Sequence, residues 1–108
     1  MVTIDEFKNI DLRVGKIIEV NDHEKARKPM YVLKVDLGEL GVRTIVAGIK
    51  GFYSKEELLN TNFIVVTNLD HKEVAGVVSE GMLLAAEDSE HVVLLRPEKD
   101  IAPGSKIH

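Results

Sequence analysis

The chain has no cysteine and no tryptophan among its 108 residues. The missing cysteine excludes a disulfide framework, a thiolate zinc site and a cysteine nucleophile. Aromatic residues are scarce: two tyrosines and three phenylalanines. A stacking platform for single-stranded bases is therefore thin. No apolar run approaches the roughly 18 residues of a membrane-spanning helix. The N-terminus, "MVTIDEFKNI", carries Asp5 and Glu6 where a secretion signal would be cationic. Nucleotide and hydrolase signatures are missing too: no GxxxxGK[ST], no GxGxxG, and none of Ser54, Ser79, Ser89 or Ser105 in a GxSxG elbow. The four histidines, His23, His71, His91 and His108, show no metal-ligand spacing. No carboxylate pair stands in the apolar surroundings that acid–base catalysis wants. These absences predict a protein that is not an enzyme and holds no cofactor or metal.

What is present is 44% hydrophobic and 30% charged, the balance of one soluble globular domain. The net charge of −4 argues against broad nucleic-acid affinity, but the average hides a gradient. Residues 1–55 hold ten Lys/Arg and eight Asp/Glu; residues 56–108 hold four and ten. Lys25, Arg27, Lys28 and Lys34 lie within ten positions. They are either an ordinary solvated loop or a basic patch on an acidic body that binds phosphate locally.

Hydrophobic periodicity orders the elements. "TIDEFK", 3–8, has the capping-box spacing Thr3/Glu6 of a short helix, and "YSKEELLN", 53–60, repeats it with Ser54/Glu57. "DLRVGKIIEVND", 11–22, is a long strand whose alternation breaks at Gly15-Lys16, so a bend is expected there. "MYVLKVDLG", 30–38, alternates with Tyr31, Leu33, Val35 and Leu37 on one face and Lys34 and Asp36 on the other. After the "GELG" turn, "VRTIVAGI", 42–49, returns, with Arg43 expected to face outward beside Lys34. "NFIVVTNL", 62–69, is a fourth strand. "GMLLAA", 81–86, is too apolar to alternate and is expected as a fifth strand buried on both faces. "HVVLLRP", 91–97, follows. The order β-β-β-α-β-β predicts a mainly all-β fold, a five-stranded OB-fold barrel over 11–86. Residues 1–10 and 87–108 would be extensions of the same single domain, the latter partly strand. An OB-fold binds oligonucleotides on its second and third strands and on its strand 1–2 and 4–5 loops. Here the first of those loops is the basic stretch 23–29 and the second is "DHKEVAGVVSE", 70–80.

The segments "DLRVGKIIEV", "KVDLG", "RTIVAGI", "YSKEELL", "VVTNL" and "SEGMLLAA", in this order, resemble the tRNA-binding domain family. That family includes the C-terminal domain or β-subunit of methionyl-tRNA synthetases, synthetase cofactors of the cytokine-precursor type, free-standing bacterial tRNA-binding proteins and CsaA. "ARKPMYVLKVDLG" leans toward CsaA, since synthetase-type domains usually have "HPNADKLY" there. The resemblance implies an OB-fold, binding of tRNA by shape and backbone, no catalytic residue, a cytoplasmic location and, for free-standing members, a homodimer built largely on the terminal extensions. It also implies action in trans with a methionyl-tRNA synthetase, or alternatively a CsaA-like protein-binding role. Carried onto matching positions, it places Asn68, Ser79, Gly81 and Met82 on the tRNA surface. Lys25, Arg27, Lys28, Lys34, Arg43 and Lys50 are the cations that charge and strand geometry add to that surface.

Overall fold

One long strand, β1 (Leu12–Asp22), organises the molecule. In the computed structural model, which describes all residues from Met1 to His108, β1 is shared by both halves of a barrel. Its first half pairs antiparallel with β4 (Asn62–Val66), from Leu12 opposite Val66 to Lys16 opposite Asn62. Its second half pairs with β2 (Tyr31–Asp36), from Lys16 opposite Asp36 to Asp22 opposite Tyr31. Between Ile17 and Glu19 the register shifts, so Ile18 is the extra residue of a bulge. The expected bend at Gly15-Lys16 is thus displaced to Ile18. Gly15 has a different role: an added Cβ would lie 2.6 Å from Val35 Cγ1 and 2.8 Å from Val65 Cγ2. Its missing side chain lets β2 and β4 close over the barrel interior.

β2 continues through a one-turn 3₁₀ segment, Gly38–Leu40, into β3 (Val42–Ala47). The spatial order is β3-β2-β1-β4-β7, where β7 is Met82–Leu83. This is the nearly closed, five-stranded antiparallel barrel of an OB-type fold. Its interior is filled by Ile17, Leu33, Val35, Leu37, Ile45, Leu58, Phe63 and Val65, all fully buried. Each such side chain contributes about 1.5–3 kcal/mol relative to an exposed one. Tyr31 is inward as its alternation predicts, and its hydroxyl donates to the Tyr53 carbonyl at 2.8 Å.

Both short helices form on their capping boxes. α1 (Ile4–Phe7) is capped by Thr3 with Glu6, and α2 (Lys55–Leu58) by Ser54 with Glu57. Leu58 of α2 is buried in the core, and Asn60 leaves the helix in the left-handed region at φ 60°.

The fifth-strand expectation needs correction. Residues 81–86 are not one doubly buried strand. β7 is two residues long, and Ala85 and Ala86 belong to a separate exposed strand, β8 (Ala85–Glu87), paired with β9 (Val92–Leu94). Only Leu83 is buried: Leu84 is half-buried with its N–H still bonded to the Ile64 carbonyl of β4, and Ala85 and Ala86 are exposed. The stretch 70–80, expected as a loop, contains a hairpin of β5 (Lys72–Val74) and β6 (Val77–Ser79) that turns through Ala75 (φ 47°) and Gly76 (φ 89°). At the C-terminus β10 (Lys106–Ile107) pairs with Leu12 and Arg13 of β1.

Candidate nucleic-acid interface

The register between β2 and β3 defines the outer sheet face. Val32 lies opposite Val46, Lys34 opposite Thr44, and Asp36 opposite Val42. The Lys34 ammonium donates to Thr44 Oγ1 at 2.6 Å, which holds one cation flat on this face. At its edge lies the strand 1–2 loop. Lys25, Arg27 and Lys28 are exposed there and make no ion pair. The loop that carries them is fixed at its base. His23 N–H bonds to the Met30 carbonyl at 2.9 Å, Ala26 N–H to the His23 carbonyl at 3.2 Å, and the buried His23 ring to the Val74 carbonyl at 2.7 Å.

Lys50 is committed locally. It lies 3.0 Å from Asp22, which also meets Lys55 at 3.1 Å. The two ammonium groups, Lys50 first, hold the Asp22 carboxyl below its ordinary value.

Arg43 is not outward, and this corrects the sequence expectation. It is in register with Val35 and shares a face with Leu33 and Ile45, which point into the barrel. Its guanidinium reaches across the open seam and donates to the carbonyls of Thr67 at 2.5 Å and Glu80 at 3.4 Å. The outer positions of β3 are Val42, Thr44 and Val46, opposite Asp36, Lys34 and Val32, so Arg43 falls on the inner face.

The same seam uses the stretch around Ser79. Ser79 is buried, and its Oγ accepts the Val46 N–H at 2.9 Å while its hydroxyl donates to the Gly81 carbonyl at 3.3 Å. Glu80 Oε1 accepts the Thr44 N–H at 2.9 Å, and Glu80 N–H bonds to the Thr44 carbonyl at 2.8 Å. Side-chain oxygens thus take the place of main-chain acceptors along the edge of β3, satisfying donors that an incomplete barrel would leave open. Gly81 allows the close approach: an added Cβ would meet the Val66 carbonyl oxygen at 3.0 Å and Ile45 Cδ1 at 3.3 Å. Met82 follows, 46% exposed on the outside of β7.

Asn68 has both ends of its amide bonded within the chain. Oδ1 accepts the Asp11 N–H at 2.9 Å, and Nδ2 donates to the Asn9 carbonyl at 2.7 Å. It ties the N-terminal extension to the end of β4. Asp11 adds to the tie: its carboxylate accepts from Arg13 Nε at 3.1 Å and from the Thr67 hydroxyl. The Arg13 bond, helped by Thr67, holds the Asp11 carboxyl below the usual range despite partial desolvation. Thr44 was not singled out in the sequence, and His23, expected like the other histidines on the surface or in a turn, is buried. Glu80 stands inside "SEGM" and was readable there; His23 carried no signal, because its burial depends on a hairpin that periodicity does not reveal.

Residues 12–106 match the family described as "Putative tRNA binding domain". The chain belongs to the tRNA-binding domain family. The domain is 56% identical over 106 residues to the methionine–tRNA ligase of Pyrococcus abyssi, covering 98% of this chain and 14% of that protein. It is 48% identical over 108 residues to that of Methanococcus vannielii, covering 100% of this chain and 16% of that protein. The chain therefore spans less than a fifth of the length of these ligases. Among solved structures, the CsaA chaperone protein of Picrophilus torridus superposes with a TM-score of 0.93 at 40% identity over the whole of both chains. The MetRS-related protein of Pyrococcus horikoshii superposes with a TM-score of 0.90 at 33% identity, over 100% of this chain and 98% of that one. The ordered motifs therefore pointed to the right family, and both the synthetase-type and the CsaA-type branches stand among its relatives.

Proposed function

We infer that this domain binds folded tRNA without catalysis, by shape and phosphate backbone, acting alone or in trans with a methionyl-tRNA synthetase in the cytoplasm. The observation that carries the reading is the trio Lys25, Arg27 and Lys28, exposed and without ion pairs, beside Lys34 on the outer β2–β3 face. A cation neutralised by a neighbouring carboxylate has little to offer a phosphate; these three do not have one. Arg27 can fork onto two phosphate oxygens, and the lysines act as point charges. The acidic remainder of the chain confines RNA to this rim, since the second half holds ten Asp/Glu against four Lys/Arg. The deep groove of A-form RNA is closed to side chains, so such a surface recognises shape.

A second copy of the chain fits the opposite end. Ile4, Phe7 and Ile10 are exposed around α1 and line a groove with Ile107 of β10. A homodimer that covers these apolar side chains would present two basic rims and raise avidity for one tRNA. The CsaA likeness at 40% identity favours a second reading, a protein-binding module, with exposed Leu69, Val78 and Met82 as its contact surface.

A gel-shift titration at low salt tests the main reading. Affinity for folded tRNA above that for an unrelated RNA hairpin is expected. Equal affinity for both overturns it, and capture of an unfolded client that tRNA does not displace favours the second reading.

A further inference from the structure

His23 is the one histidine that the fold buries, at 7% exposure, and the bond that fixes the loop uses only one of its two ring nitrogens. It lies at the floor of a cleft of about 380 Å³ between the strand 1–2 loop and the β5–β6 hairpin. That volume is within the range of about 300–1,000 Å³ typical of small-ligand clefts. The cleft is lined by Val32 from the outer face of β2, by Val77 with the Ala75-Gly76 turn, and by Asn21, Asp22, Glu24 and Lys25; of the two carboxylates, Asp22 is already held by Lys50 and Lys55.

The two ring nitrogens have different tasks. Nε2 is 2.7 Å from the Val74 carbonyl oxygen, which can only accept, so Nε2 carries the proton. In the neutral ring Nδ1 is then a bare acceptor. It has no partner within the chain, and it is not one of the fully buried polar atoms left without a bond. Nδ1 therefore keeps some opening toward solvent, and His23 lines the cleft. A ligand that suits this cleft has apolar faces for Val32 and Val77, a hydrogen-bond donor for Nδ1 and an anion for Lys25.

We propose that the cleft takes one unstacked ribonucleotide, whose ribose hydroxyl or base N–H donates to His23 Nδ1 and whose phosphate meets Lys25. This rests on the tRNA-binding reading and deepens it: the sheet reads the backbone, and the cleft holds a nucleotide splayed out of an unpaired segment, as RNA-binding sites commonly do. No aromatic residue lines the cleft, so the two valines clasp the base instead of stacking on it.

NMR of uniformly 15N-labelled protein tests this with tRNA, AMP and dAMP as probes. tRNA and AMP are expected to move the His23 ring signals and the Lys25 and Gly76 amides. dAMP acting like AMP excludes the ribose 2′-hydroxyl as donor, and dAMP without effect identifies it. Two variants accompany the spectra. His23→Gln keeps an N–H for the Val74 carbonyl and loses Nδ1, and Val32→Phe fills the cleft from the outer sheet face. Each is expected to weaken tRNA binding about tenfold, the scale of one lost base contact. Wild-type tRNA binding with an unmoved His23 ring and both variants at wild-type affinity overturns the proposal and leaves the tRNA reading standing. AMP shifts without any tRNA affinity overturn the tRNA reading and leave the nucleotide cleft. No response to any probe overturns both.

Discussion

Single side chains close this barrel. Arg43, Ser79 and Glu80 bridge the seam that β3 forms with the end of β4 and the end of β6, where no continuous ladder runs. Replacing Arg43 by Met leaves the Thr67 carbonyl without its charged donor. A bond to a charged group contributes about 1.5–3 kcal/mol, so Arg43→Met is expected to lower unfolding free energy by about 2 kcal/mol in a urea titration. Per folded molecule, tRNA affinity is expected to stay within about twofold of wild type, because the guanidinium is turned into the seam and away from the outer face. Ser79→Ala strands the Val46 N–H and is expected to cost about 1–3 kcal/mol in the same titration. A normally stable Ser79→Ala that no longer binds tRNA would contradict this assignment and make Ser79 a contact. At this scale the sequence was half legible. Lys34, Lys25, Arg27 and Lys28 are where alternation and charge put them. Arg43 is not: it lies one residue from the outer positions of β3, and a shift of one residue reverses the face of a side chain. Asn68 and Ser79 were located in the right turns, but their partners are about 57 and 33 residues away, contacts that no local pattern encodes.

At the scale of elements, length decided what could be read. β1 to β4 are five to eleven residues long and showed themselves by alternation or by apolar runs. β5 to β10 are two or three residues each, too short for a period of two to be seen. The run "MLLAA" looked like core because composition cannot distinguish a buried strand from one that leaves the barrel after its second residue. The helices were legible through capping boxes, which are local chemistry. The N-terminal extension is held to the barrel by Asp11 and Asn68, and this gives it a pH dependence. The Asp11 carboxyl is held below its ordinary value in the folded state, chiefly by Arg13. A depressed folded value stabilises the fold above the unfolded pKa of about 3.9, and that stabilisation is lost as pH falls through the folded value. Amide exchange at residues 4–10 is therefore expected to accelerate as pH is lowered from about 5 to 3, beyond the intrinsic change. Asp11→Asn, which removes the charge, is expected to flatten that response. A wild-type response that Asp11→Asn leaves intact would assign it to other carboxylates.

The whole molecule separates two surfaces. One end carries the basic rim and outer sheet; the terminal extensions carry the exposed apolar side chains of α1. A dimer is expected for the wild type by light scattering and a monomer for Ile4→Glu with Phe7→Glu, with the fold intact because neither side chain is in the core. A wild-type monomer at tens of micromolar would contradict the dimer. The charge gradient was legible in composition alone, since the sum of −4 conceals a first half that is net basic. Composition did not reveal that Lys50 is already spent on Asp22, which leaves Lys25, Arg27 and Lys28 as the unpaired cations of the strand 1–2 loop beside the outer sheet face.

The central claim is that this loop carries tRNA binding through phosphate contacts. Its most direct test is the salt dependence of tRNA affinity for wild type and for Lys25→Glu with Lys28→Glu, two exposed side chains whose reversal leaves the core untouched. Each lost phosphate contact reduces the slope of log affinity against log salt by about one, so the variant is expected to bind at least tenfold more weakly at low salt with a slope shallower by about two. Equal affinity and an unchanged slope would contradict the account and move the RNA surface elsewhere on the barrel.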